Sequence, residues 1–475
     1  MKEFRTPSIK EAVLLVAVIA VFLFIGITQW HAPTSVLLII SAAIAAVYAM
    51  VRLGYDWGTI QEGIVSSIST VIPSLLILLT VGALIGTWVQ SGTVPVMIYY
   101  GLKFLPPHFF LAAVVLIAAL VSLATGTSWG TVGTVGVAFM GISAGLGIPA
   151  HITAGAIVVG AFFGDKMSPL SDTTNLAAAV SGSDLFDHIK HMLLTTGPAM
   201  LISLVIFGFI GYGYGNQGLD IARIQTVNET LQASFNLNPL LLLPPVLVIY
   251  LVIKRKPVLP VLFLGTILAG FLGLLFQGAS LPEILNAMSS GFSINTGEVF
   301  VDKLLNRGGI MSMTGTTVLV LAAVTFGGVM RHTGILGALL TGMTSFVRGT
   351  GSLIFATVLA NSAVVLMTGS CYVSMSLIGP LFAPLYDRFN LARQNLSRTL
   401  EDTGTVLVPL IPWSITGGFV AETLGVPVTA YLPFAFMCYL SIVFALVYGF
   451  TGKAIVYNTQ TGENSGANRA AVETV

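Results

Sequence analysis

Charge is what this sequence has least of: Asp, Glu, Lys and Arg make up 8% of its 475 residues, against about 25% in a soluble domain. A chain wetted over its whole outside cannot manage with so few, whereas one whose outside meets lipid can. The formal net charge is +1, which excludes a bulk basic field for nucleic acid and a bulk acidic field for basic partners. Cysteine occurs twice, at Cys371 and Cys438, both in apolar runs. Neither a disulfide framework nor a CxxC metal site can be built from them, and buried small apolar residues are the plain reading of both. HExxH and Walker A motifs are both missing, which leaves the metalloprotease and ATPase classes without support. No resident cofactor is expected.

Apolar residues are in excess, at 55%. Runs long enough to cross about 30 Å of hydrocarbon are expected near 11–29, 34–51, 70–89, 109–125, 192–213, 239–253, 258–277, 313–330, 351–368 and 431–450. Shorter or interrupted stretches lie at 131–146, 152–164, 172–181, 372–386 and 405–420. Depending on how broken helices are counted, this makes about 11–14 membrane segments. Residues 214–238 and 292–309 are expected to be polar connectors, and the tail from Tyr457 a polar, mobile end. The first run ends in Gln29-Trp30-His31-Ala32-Pro33, which is no small-residue cleavage site, so it reads as a retained span rather than a signal peptide. Lys and Arg in short loops set the orientation. Lys2, Arg5, Lys10, Arg52 and the cluster Lys254-Arg255-Lys256 put the N-terminus and these loops in the cytoplasm, with weaker support from His188 and Lys190.

The chain also repeats itself. GTWVQSGTVP at 86–95 has a counterpart in GGVMRHTGIL at 327–336. A span ending in Thr125-Gly126-Thr127-Ser128 then matches one ending in Thr368-Gly369-Ser370-Cys371, at nearly the same spacing. Beyond these, GDKMSPLSDTTN (164–175) answers LEDTGTVLVPLIPW (400–413). The span 34–51 ends at the basic marker Arg52, while its counterpart 258–277 begins at Lys254–Lys256, so the copies enter from opposite sides. That is the inverted-topology repeat of many secondary transporters. The expected fold is an all-α polytopic membrane protein of two inverted repeats, 34–215 and 258–452, with helices broken at the midplane. Residues 1–33 form a span outside the repeat, 216–257 a connector with one span, and 453–475 a polar tail.

A charge at the bilayer centre costs at least about 2.5–3.5 kcal/mol on insertion scales, so charges kept inside apolar segments need a reason. The densest set is the stretch from Gly164 to Asn175, where Gly164 and Pro169 interrupt the helix. Asp165 and Asp172 supply carboxylates, Lys166 a compensating ammonium, and Ser168, Ser171, Thr173 and Asn175 further oxygens. Hard cations want such oxygen ligands. Each carboxylate binds a proton or a metal ion, and competition between the two is exchange. The second half offers Glu401, Asp402, Thr403 and Thr405; Asp165, Asp172 and Asp402 are the expected direct ligands of the metal ion. Arg398 stands three and four residues before Glu401 and Asp402, at helix pairing distance, so an ion pair is the alternative role of Glu401. Thr125, Thr127, Thr368 and Ser370 place hydroxyls and unwound carbonyls inside spans, where half-helix ends face a midplane site. Close helix packing through small residues is the other reading of these breaks.

Other polar residues read as peripheral. Asp56 and Glu62 are placed on an interfacial helix, and Asp184 and Asp187 in a solvated loop with His188, Lys190 and His191. Glu422 is placed at a membrane interface, His151 in a capping turn and His332 at the surface.

GDKMSPLSDTTNL (164–176) resembles the signature of the NhaC-type Na+/H+ antiporter family, and Ser397–Thr405 with Pro409–Trp413 resembles that family's second motif. Length, span number and repeat layout are similar over nearly the whole chain. The resemblance implies a secondary transporter of the ion-transporter superfamily. It would exchange Na+ for H+ across the bacterial inner (cell) membrane, moving a transport domain against a scaffold. Relatives of this kind include a malate/lactate antiporter. A Na+- and H+-coupled organic-anion exchanger is therefore the alternative, with Lys166, Arg398 and half-helix N-termini as carboxylate ligands. A channel is the third class, and matched helix breaks within a repeat favour alternating access over it. The implied partners are sodium ion, protons, the lipid bilayer and, in the alternative, a small organic acid. Analogy with such folds adds a homodimer.

Overall fold

The computed structural model describes residues 4–104, 106–216, 221–254, 256–344 and 347–458; Arg255 and the tail beyond 458 lie outside the described residues. Among these, eight helices are long and apolar enough to cross a membrane, and up to eleven if each of three bent pairs counts as one span. The protein is an all-helical, multi-pass membrane protein. The helices that position the site are α1 (Ile9–Thr28), α2 (Thr34–Tyr48), α3 (Trp57–Gln90), α4 (Pro107–Thr125), α5 (Val137–Gly145), α6 (Ala150–Met167), α7 (Asp172–Ser181) and α8 (Leu185–Asn216). The second half contributes α9 (Val258–Phe276), α10 (Thr314–His332), α11 (Thr350–Thr368), α12 (Cys371–Arg388), α13 (Arg393–Glu401), α14 (Ile415–Leu424) and α15 (Phe436–Thr451).

Most of these lie where the apolar runs put them, and the departures have local causes. The N-terminus of α3 lies well before the run at 70–89 because the Asp56 carboxylate caps it, accepting from Thr59 N–H at 2.9 Å. Asp56 and Glu62 thus open a long helix rather than a separate interfacial one. The loop expected around Asp184–His191 is replaced by the first turns of α8. There the Asp184 carboxylate accepts from the N–H groups of Phe186 (2.9 Å) and Asp187 (3.0 Å). Asp184, Asp187 and Lys190 stay exposed, whereas His188 and His191 are buried, at 0% and 3% exposure. The connectors 214–238 and 292–309 carry helices of their own, Ile221–Ser234 and Val299–Leu305. The described start of the tail is held, since Val456 O accepts from Ala392 N–H at 2.9 Å and from Asn395 Nδ2 at 2.6 Å.

Without a hydrophobic force between helices in lipid, close approach through small residues holds them together. Helices α4 and α6 use it. A β-carbon at Gly160 would lie 2.3 Å from Val115 O, and one at Gly164 2.3 Å from Ala119 O. The matched advance along both helices makes the pair parallel. Helix α4 then turns at Gly126 and returns through Ser128–Gly145, forming a hairpin; α11 and α12 form another about Gly369. The bases of the two hairpins lie at opposite ends of α8. Gly211, near its C-terminus, packs on His108 at the foot of α4. At the other end Arg393, paired with Asp387 at the foot of α12 (2.6 Å), donates to Ser181 O just before α8. The hairpins therefore enter from opposite sides, and residues of both tips line one cavity.

Candidate functional site

The two tips are built alike. Gly126 (φ +70°) and Gly369 (φ +66°) end α4 and α11 in the left-handed region that favours glycine. A hydroxyl then caps the returning helix: Thr127 accepts from Gly130 N–H at 3.2 Å and Ser370 from Val373 N–H at 3.4 Å. A β-carbon at Gly126 would sit 2.6 Å from Leu170, so this tip is seated on the break between α6 and α7. In that break Ser168 and Pro169 leave the helix and Ser171 caps α7. Ser168 Oγ donates to Leu123 O (2.8 Å), and Thr174 Oγ1 to the freed carbonyl of Lys166 (3.0 Å). Asn175 Nδ2 donates to Ser171 O at 2.6 Å. The counterpart break follows α13, where Asp402 and Thr403 separate it from a short helix Gly404–Leu407.

The first break, both tips and the stretch just after the second break border a cavity of about 790 Å³. Asp165, 5% exposed, lines it; one carboxylate oxygen accepts from Ser128 Oγ at 2.7 Å and the other has no protein hydrogen-bond partner. Asp172, at the start of α7, also lines the cavity, accepting from Tyr372 Oη beside the second tip at 2.8 Å. Thr405 also lines the wall, its hydroxyl beside Glu401. Lys256 and Arg331 bound the cavity at the start of α9 and the end of α10. Behind the wall, the Lys166 ammonium meets the Asp402 carboxylate at 2.7 Å, both side chains wholly buried. Glu401 is wholly buried beside Thr405 and Thr173.

A second cavity, of about 660 Å³, lies at the other end of the same helices and is lined by Ile85, Ser312, Met313, Glu422 and Leu424. Arg307, also on its wall, donates to Thr423 O at the end of α14 at 2.5 Å. A thin apolar layer separates the two cavities. Trp129 stacks on Phe419, with ring centroids 4.3 Å apart and planes 8° from parallel. Next to the stack, a β-carbon at Gly133 would touch Val81 at 3.4 Å, and one at Gly136 would meet Leu424 at 3.3 Å.

A profile of the Na+/H+ antiporter family matches residues 160–453, a stretch holding both broken-helix motifs. The chain is 42% identical over 445 residues to the Na(+)/H(+) antiporter NhaC of Alkalihalophilus pseudofirmus, covering 93% of this chain and 94% of that protein. It is 38% identical over 469 residues to the malate-2H(+)/Na(+)-lactate antiporter of Bacillus subtilis, covering 98% and 100%. It is also 37% identical over 473 residues to the arginine/ornithine antiporter ArcD of Halobacterium salinarum, covering 98% and 97%. The chain belongs to the Na+/H+ antiporter family.

In this antiporter the residues singled out by sequence divide into two sets. Asp165, Asp172, Thr173, Thr405, Thr125, Thr127 and Ser370 line the first cavity. Ser168, Ser171 and Asn175 shape the break behind it, while Thr368 and Thr403 return hydrogen bonds to their own helices, to Val364 O (2.7 Å) and Thr399 O (2.8 Å). Asp402, expected beside Asp165 and Asp172 around the ion, faces Lys166 instead; among the described residues no three acidic, His or Cys side chains converge on one point. Arg398, at pairing distance in sequence from Glu401 and Asp402, ion-pairs with neither. It donates to Ala454 O at 2.8 Å and lies 6.0 Å from the Tyr448 ring. Ser128 and Tyr372, the hydrogen-bond partners of the two cavity carboxylates, were not among the expected ligands. Each stands within two residues of a tip residue that was.

Proposed function

We propose that the antiporter exchanges Na+ for H+ across the bacterial inner membrane by alternating access, its N-terminus in the cytoplasm. The observation that carries this reading is Asp165: a carboxylate buried in a broken span at the wall of a cavity, one oxygen fixed by Ser128 and the other without a protein hydrogen-bond partner. Such a group binds one cation at a time. A proton neutralises it; Na+ is held by its charge together with Asp172 and the hydroxyls of Ser128, Thr173 and Thr405. The Lys166–Asp402 pair keeps a further charge balanced in the membrane, and Glu401 is the second buried acid. The hairpins that enter from opposite ends of α8 support repeat boundaries of 34–215 and 258–452. Lys256 and Arg331 at the cavity border support an opening toward the cytoplasm in this conformation.

A second reading has its own support. The malate/lactate relative matches end to end, the cavity is large for a bare ion, and Lys256 and Arg331 are cations on its wall, which Lys166 and Arg398 are not. Purified protein in liposomes with a trapped pH dye separates the readings. Proton movement on adding Na+ alone supports Na+/H+ exchange. A response only when malate or lactate is also present would replace it with anion-coupled exchange.

A further inference from the structure

Two carboxylates that share a cavity repel each other, so their spacing is fixed only if other groups hold them. Asp165 and Asp172 stand at the two ends of the first helix break, one in the last turn of α6 and one opening α7, near enough for their charges to act on each other. Each is held by a hydroxyl, and the two hydroxyls come from different hairpins. Ser128, just past the first tip, donates to Asp165 Oδ2 at 2.7 Å. Tyr372, just past the second tip, donates to Asp172 Oδ2 at 2.8 Å. The other oxygen of Asp172 accepts from Thr173 N–H at 2.9 Å, so this carboxylate is pinned at both ends. The phenol is itself firmly mounted. Tyr372 lies in the first turn of α12, which Ser370 caps. Helix α12 packs along α7, where a β-carbon at Gly379 would lie 2.7 Å from Val180.

We propose that Tyr372 is a positioning residue that gives the site its preference for Na+ over Li+ and K+, by fixing Asp172 relative to Asp165 from the opposite repeat. This rests on the exchange function proposed above. The three cations carry the same charge and differ in radius, so a site separates them by its size, its ligand number and the rigidity of its ligands. Carboxylates that swing freely close on a small ion and open for a large one, and so discriminate poorly. Carboxylates held at a set spacing favour the ion that fits it. Tyr372 acts through the carboxylate it holds, and Ser128 does the same at the other end of the break. A side chain mounted on a packed helix holds such a spacing better than one on a loop.

Tyr372→Phe keeps the ring and loses only the donor. The test measures equilibrium binding of Na+, Li+ and K+ to the purified protein by calorimetry at one pH, with Na+-driven proton movement in liposomes beside it. A hydrogen bond to a charged group is worth about tenfold or more in an equilibrium constant. Tyr372→Phe should therefore weaken Na+ binding about tenfold and Li+ and K+ binding by less than about twofold, so that the preference for Na+ falls at least about fivefold. Tyr372→Met, also without a donor, is the second variant should Tyr372→Phe not fold, and the same change in preference is expected of it. Equal weakening for all three cations would make Tyr372 a packing residue and overturn the proposal, as would wild-type affinities throughout. If wild type itself binds no Na+ and moves no protons with it, the exchange function fails first, and the two failures are told apart.

Discussion

At the scale of single residues, two kinds of buried charge share the centre of this protein. Asp165 keeps an oxygen free, whereas Asp402 spends its charge on Lys166 at 2.7 Å. Removing one partner of a wholly buried pair leaves an uncompensated charge and costs about 3–5 kcal/mol, while removing both costs far less. Lys166→Gln and Asp402→Asn should therefore each lower thermal stability in detergent sharply, and the double variant should recover most of the loss. Additive losses would show that the pair is not coupled. Competition for one carboxylate has a kinetic signature too. Lowering the pH should raise the KM for Na+ and leave the limiting rate little changed; a falling limiting rate at constant KM would mean that protons act away from the ion's ligands.

At the scale of elements, the hairpin tips and helix breaks decide whether the site forms. Gly126 combines a positive φ with contact to Leu170, while Gly182, at the end of α7, has the same φ and open space around it. Left-handed backbone costs an L-residue about 1–2 kcal/mol. Gly182→Ala should cost that much and keep transport, whereas Gly126→Ala should also displace the break and abolish Na+-dependent flux. Equal transport in the two would detach the tip from the site. The sequence made these elements legible because glycine, proline and hydroxyl residues interrupt otherwise unbroken apolar runs. The facing of side chains was less legible. Arg398 has the right spacing for Glu401, but α13 turns it toward Ala454. The burial of His188 and His191 was hidden by their polar neighbours. A stripe of His188, His191, Thr195, Ala199 and Ser203, all buried, has the helical period that marks them as an inner face.

At the scale of the whole molecule, two cavities on opposite sides of the Trp129–Phe419 stack imply a barrier that moves rather than a continuous pore. Ser74 borders the first cavity and Ser312 the second. With Cys371 and Cys438 replaced by serine, Ser74→Cys should react with a membrane-impermeant thiol reagent from the cytoplasmic face only, and Ser312→Cys from the opposite face only. Na+ should shift the two rates in opposite directions. Labelling of both from one face would indicate a channel.

The central claim is that Asp165 and Asp172 hold the cation that exchanges for protons. Its most direct test loads liposomes bearing wild type, Asp165→Asn or Asp172→Asn with a pH gradient and follows uptake of radioactive Na+ against its own gradient. Accumulation in wild type and none in either variant, all three folded, is the predicted result. Wild-type accumulation in both variants would contradict it and move the exchange site off the broken helix.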